Sequence, residues 1–230
     1  MVVVYTAILG GCDSLKPAPK GADRCVCYTD NAYLLHCVPG SGDCLGWEFI
    51  EVSEGGGYPQ GSSRRAAWYL RCVPHDLFPV HDVSVWIDAS FTLTNLPKLL
   101  KDSAGHELSA LRHHGRTTID QEAAAIVKAG QATEAEVSAQ VNAYRREGFG
   151  MTPLSVSCIL VRQNTPKVKA FNELWDAEIQ KYPGDNTQLS LDYCAWKTGL
   201  FWHALEGGRL ANPYAVHDRA DHKRRRKPYR

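Results

Sequence analysis

The chain has 230 residues, 44% of them hydrophobic, and a formal net charge of +1. That composition supplies a full core and excludes a disordered chain. No apolar run approaches the ~20 residues that a membrane-spanning helix needs.

The opening Met1-Val2-Val3-Val4-Tyr5 has no basic stretch before it and no small-residue cleavage site after it. It reads as a first strand rather than a signal peptide, so a cytoplasmic protein is expected. The β-rich run Val2 to Ile8 ends in Gly10-Gly11, the pattern of a buried strand closing in a tight turn. A second strand is expected over Arg24 to Tyr28, closed by Thr29-Asp30-Asn31, and a third over Trp47 to Val52. Gly55 to Gly61 predicts a flexible loop. Ser62 to Cys72 predicts a helix with serines at its start and Pro74 beyond its end. Val83 to Ile87 predicts a strand that delivers Asp88. Two helices follow, over Thr118 to Gly130 and from Thr133 to Gly148. The second opens on a capping box, Thr133 with Glu136. Ser155 to Val161 predicts a strand, and helices are expected over Pro166 to Tyr182 and Asn186 to Thr198. Strands alternating with helices imply a single α/β domain with a mostly parallel mixed sheet flanked by helices, over residues 1–218.

The remaining residues, 219–230, form a basic tail. Seven Lys or Arg and one Asp fall there, leaving the body at about −5 and the tail at about +6. Eight cysteines show no regular zinc spacing, and several sit inside apolar runs, so reduced, buried thiols are expected.

Four polar constellations stand out. In YTAILGGCDSLKP, Tyr5 to Pro17, a strand leads to a glycine turn that lets backbone approach a ligand; a plain structural turn would look the same. In SVWIDAS, Ser84 to Ser90, an apolar strand ends in a carboxylate suited to a hard cation or a ribose hydroxyl, or to capping the next turn. Arg64-Arg65 in the first turn of a helix oppose its dipole and fit a phosphate, or else a solvated face. LRHHGRTTIDQEA, Leu111 to Ala123, gathers two histidines, two arginines and two acids, as sugar or phosphate contacts or as a polar surface loop.

Taken in order, YTAI-GG-D-LKP, YTDN, RRAAWYL, PHDLFP, WIDAS, R-TT-D-E, YRREGF, VRQNTP, FNELW and TQLSLDYCAWKTG resemble a glycosyltransferase-like family. It was formerly known as a domain of unknown function, with members in plant wall and mucilage biosynthesis and in bacterial polysaccharide clusters. The resemblance spans residues 3 to about 200. It implies a GT-A, Rossmann-like fold, a nucleotide-diphosphate sugar as donor, and Mn2+ or Mg2+ as cofactor. By position it implies donor-binding roles for Tyr5, Thr6, Gly11, Asp13, Asp30, Arg64, Arg65 and Arg116, with Arg71 in the same basic helix. Asp88 and Ser90 stand where the usual Asp-x-Asp metal motif would be. Asp185, Glu122 and Gln188 are the catalytic candidates. Two departures mark the chain. Thr187 replaces the acid of the family's Asp-Gln-Leu-Ser, with Asp185 as a nearby substitute, and Gly150-Met151-Thr152-Pro153 replaces a Pro-x-Asn.

The acceptor expected from the resemblance is a glycan. The tail suggests a second possibility, a hydroxylated base in DNA held through phosphate contacts. A third reading is a catalytically degenerate sugar-nucleotide or nucleic-acid binding module.

Overall fold

The computed structural model describes residues 1–11, 13–38, 41–53, 63–150, 153–182, 184 and 186–218. Asp185, Cys12, the glycine-rich stretch 55–61 and the basic tail lie outside the described residues.

In chain order the elements are β1 (Val2–Ile8), β2 (Arg24–Thr29), α1 (Ala32–Leu35), a 3-10 turn (Gly42–Cys44), β3 (Glu48–Glu51), α2 (Ser63–Cys72), α3 (Pro74–Leu77), β4 (Val83–Ile87) and β5 (Phe91–Leu93). They continue with α4 (Leu96–Asp102), β6 (Leu108–Arg112), α5 (Ile119–Lys128), α6 (Glu134–Arg146), β7 (Ser155–Gln163), α7 (Pro166–Lys181), α8 (Gln188–Lys197), β8 (His203–Gly208) and β9 (Ala215–His217). Seven strands form one sheet in the order β3-β2-β1-β4-β7-β6-β8, and β5 pairs with β9 apart from it. Within the large sheet only β7 runs antiparallel to its neighbours. The expected α/β class, with a mostly parallel mixed sheet flanked by helices, is therefore the observed one.

Burial follows the strand period. Val3 and Tyr5 of β1 pack into one layer with Trp68, Phe171 and Trp175 from α2 and α7. Val4 and Ile8 face the other layer, with Trp47, Leu96, Leu99 and Phe91. The residues between, being buried on both faces, make β1, β4 and β7 read as continuous apolar runs. The capping box holds: Thr133 accepts from the Glu136 N–H while Glu136 accepts from the Thr133 N–H. Pro74, expected as a stop, instead opens the short α3 at its first position. A missing N–H costs nothing there.

The core contains an arginine. Arg162, on β7, is fully buried. Its Nη1 donates to Asn172 Oδ1 at 2.9 Å, and its Nη2 to the Tyr5 hydroxyl at 2.5 Å and the Arg71 carbonyl at 2.8 Å. The Tyr5 hydroxyl in turn donates to the Arg71 carbonyl at 3.1 Å. These bonds join β1, α2, β7 and α7 beneath the edge of the sheet.

Candidate active site

β1 is followed on one side by β2 and β3, while β4 lies on its other side. The winding reverses between β1 and β4, and in open α/β sheets ligands bind beyond the carboxyl ends of the strands at such a point. A cleft of about 800 Å³ opens there. Its walls include Ala7 near the end of β1 and Leu9 past it, Trp86 on β4 with Asp88 to Ser90 past its end, His113 to Arg116 past β6, and Arg209 and Leu210 past β8. Because β7 is antiparallel, its first residues, Val156 to Cys158, reach the same edge. The start of α8 closes the back through Thr187 and Gln188.

Asp88 is the carboxylate that β4 delivers. Its N–H donates to the Cys158 carbonyl and its own carbonyl receives the Phe91 N–H, both at 2.9 Å, which fixes the turn. Oδ1 accepts from Trp86 Nε1 at 2.9 Å and lies 3.5 Å from Arg71 Nη2. Arg71 is itself buried, donates to Ser157 Oγ at 2.6 Å and Thr187 Oγ1 at 3.4 Å, and lies 5.2 Å from the Trp86 ring centroid. Thr187 thus stands beside a guanidinium where the family pattern has an acid.

Arg64, Arg71, Arg116 and Arg209 face the cleft together with Asp13, Asp88 and Glu122. Arg116 Nε donates to Glu122 Oε2, so Glu122 offers the cleft an ion pair rather than a bare carboxylate. The balance among the described walls is positive, which favours an anionic ligand.

His113 is buried behind this pair. Its Nδ1 accepts from the N–H groups of Gly115 at 3.1 Å and Arg116 at 2.9 Å, and its Nε2 lies 3.9 Å from Glu122 Oε2. Burial first, and then the positive charges of Arg116, His114 and Arg209, push the imidazole down to about 4. The folded-state value lies below the unfolded one. The stability it contributes is therefore complete above about pH 6.5 and is lost as the pH falls toward 4. Between pH 7 and 4 the wild type should lose up to roughly 3 kcal/mol more than His113→Asn, measured by urea unfolding. Parallel pH curves for the two proteins would contradict this.

The cleft gathers Asp13, Arg64, Asp88, Ser90, Arg116, Glu122 and Gln188 from the sequence-based set. The others fall elsewhere. Tyr5 is a core residue, its hydroxyl spent on Arg71 and Arg162, and burial pushes it up to about 12. Thr6 is buried on β1 and is not a wall of the cleft. Asp30 accepts from the Gly10 N–H at 2.8 Å and so braces the turn instead of lining the cleft. Gly11 serves that turn with φ +64°, a conformation that favours glycine. Arg65 donates to the Tyr182 carbonyl at 3.4 Å.

Sequence reasoning missed Arg209 and His217. Arg209 follows Gly207, whose φ is +81° and where a Cβ would fall 2.4 Å from the Ala211 carbonyl oxygen, so no side chain fits. The Gly207-Gly208 pair was the available signal for that turn. His217 stacks on Phe91 at 4.5 Å, and the next residue, Asp218, donates its N–H to the Ser90 carbonyl at 2.8 Å. Asp218 also pairs with Lys16 at 2.9 Å, which ties the segment carrying His217 to the loop after β1.

The profile of the TOD1/MUCI70 glycosyltransferase-like domain matches residues 36–203. The chain belongs to the TOD1/MUCI70 family. A relative of that family, the probable hexosyltransferase MUCI70 of Arabidopsis thaliana, is 28% identical over 210 residues, covering 79% of this chain and 35% of that protein. The chain spans about a third of the length of that TOD1/MUCI70 relative. Among solved structures, mouse xyloside xylosyltransferase 1 in its apo form has a TM-score of 0.45 at 10% identity, over 88% of this chain and 84% of that one. The bifunctional glycosyltransferase WbbM has 0.46 at 14% identity, over 89% and 38%.

Proposed function

We propose that the cleft transfers a hexosyl residue from a nucleotide-diphosphate sugar to an acceptor hydroxyl, with a divalent cation at Asp88. The observation that carries this reading is the Asp88 carboxylate at the switch point of the sheet, facing a cleft ringed by arginines. Membership of a glycosyltransferase-like family and the hexosyltransferase relative support it. The strand order and the single antiparallel β7 support the GT-A assignment.

The donor set suits a hard cation. Among the described residues no three His, Cys, Asp or Glu side chains form a ready cage. Mg2+ or Mn2+ sites need only one or two carboxylates when substrate phosphates and water complete the shell. Asp88 would hold the ion, with Ser90 and His217 at the same mouth. When bound, such an ion supplies Lewis-acid neutralisation of the departing diphosphate. The chain's own residues do the rest. Arg64 and Arg209 offer charged donors to phosphate oxygens. Arg116 orients Glu122, and the apolar Leu9 and Ala7 face the donor side beside β1.

A glycan hydroxyl is the acceptor in this reading. The alternative of a DNA base rests on residues 219–230, outside the described residues.

A panel of nucleotide sugars, screened by thermal shift with and without Mn2+, tests the donor and the metal together. A ligand at 100 times its Kd stabilises by ~2.7 kcal/mol. A Mn2+-dependent shift with one class of nucleotide sugar is expected. No shift with any of them, at millimolar ligand, would sink the reading.

A further inference from the structure

Helix α8 grips the start of β7 at two points one turn apart. Gln188 and Asp192 are spaced i, i+4, so they share a face. Gln188 Nε2 donates to the Ser155 carbonyl. Asp192 takes the other polar atoms of the same residue: the Ser155 N–H lies 3.3 and 3.2 Å from its two oxygens, and Ser155 Oγ donates to Oδ1 at 2.7 Å. Every hydrogen-bonding group of Ser155 is therefore spent on α8. Trp202 donates to Asp192 as well.

Gln188 is a wall of the cleft, whereas Asp192 is 4% exposed and is not. The amide of Gln188 is planar. With one Nε2 hydrogen committed to Ser155, the plane of the amide is fixed, and Oε1 is held at its other corner as an acceptor for hydroxyl protons. An unrestrained glutamine would present either end of its amide to a ligand. A buried carboxylate is an expensive way to anchor a strand. Burial pushes Asp192 up to about 7, against the pull of its bonds to Ser155. The charged form is the one that accepts both Ser155 donors without competition.

We propose that Asp192 is a positioning residue of the transfer site: acting through Ser155, it holds the Gln188 amide with Oε1 presented to the hydroxyl groups of the donor sugar. This rests on the reading of the cleft as a nucleotide-sugar site.

The test is a double-mutant cycle in the full chain. The probe is the UDP- or GDP-hexose turned over fastest in a panel, followed by release of the nucleoside diphosphate. Asp192→Asn puts an amide N–H against a Ser155 donor and loses one bond. It should lower kcat roughly tenfold and leave KM within about twofold, since preorganisation acts on the transition state. Gln188→Ala should cost at least as much. The double variant should be no slower than Gln188→Ala alone, because Asp192 then has nothing to position. A purely structural Asp192 would add its loss to that of Gln188→Ala, and this outcome overturns the proposal. So does wild-type turnover in Asp192→Asn.

Should Gln188→Ala itself be inert, the proposal fails while the donor site, tested separately through Asp88, stands. Ser155→Ala keeps the backbone bond and removes only Oγ. It serves if Asp192→Asn does not fold, with a smaller kcat loss that disappears in the Gln188→Ala background. If no hexose in the panel turns over, the exchange of the Gln188 side-chain amide protons decides. Slow exchange in the wild type, at least tenfold faster in Asp192→Asn or Ser155→Ala, supports the proposal, and equal rates overturn it.

Discussion

Asp88→Ala and Asp88→Asn are both expected to lower nucleotide-sugar turnover by roughly 10²–10³-fold, the scale on which losing one preorganised electrostatic group slows a reaction. The asparagine is the sharper variant. Its amide oxygen can still accept from Trp86 Nε1, so the turn after β4 is retained. What it lacks is the charge that would hold a cation and balance Arg71. The fold should survive, because the carboxylate is a partly exposed group at a strand end and the turn around it is held by backbone bonds to Cys158 and Phe91. Initial rates of nucleoside diphosphate release, with Mn2+ titrated, measure the effect. Activity within about threefold of wild type in Asp88→Asn would remove the metal assignment.

The largest expected effect on stability is at Arg162. Arg162→Ala takes away the donors that satisfy Asn172, Tyr5 and the Arg71 carbonyl, and leaves a cavity between β7 and α7. Deleting a large buried side chain and leaving the oxygens it satisfied short of donors costs about 3–5 kcal/mol. For a chain of this size that corresponds to a fall in Tm of roughly 6–20 °C. Arg162→Met should cost less, since it refills much of the volume that the alanine leaves empty. Differential scanning calorimetry of both variants is the measurement. An alanine variant within about 1 kcal/mol of wild type would show that the network contributes little.

Arg162 also shows how the sequence misleads. In SVSCILVRQ the arginine looks like the polar end of an apolar strand, yet it is the most enclosed cation of the described chain, because β7 runs through the middle of the sheet. Strands buried on both faces were legible for the same reason: β1, β2, β4 and β7 are runs of apolar residues closed by turn signals. The elements that escaped are short or polar. HALEGG of β8 and the three-residue β5 and β9 carry no periodicity to read. Leu108–Arg112, five residues long, led into a cluster that resembled a loop.

The site divides in the same way. Asp88 could be read because a strand that ends in an acid places it at a sheet edge whatever surrounds it. Tyr5 and Asp30 matched a motif, and in the structure both side chains are engaged in how β1 packs and turns. Arg209, His217 and Asp192 reach the cleft or its back wall from the last fifth of the described chain. Their meeting with β4 and β7 depends on the antiparallel β7 and the β5–β9 pair, which no local spacing encodes.

The most direct test of the nucleotide-sugar cleft is a crystal structure of the chain soaked with Mn2+ and the nucleoside diphosphate that gives the largest thermal shift. The diphosphate should lie at the carboxyl ends of β1 and β4, with the metal bound to Asp88 and phosphate oxygens within hydrogen-bonding distance of Arg64 or Arg209. A nucleotide bound on another face, or a metal that leaves Asp88 paired with Arg71, would contradict the account.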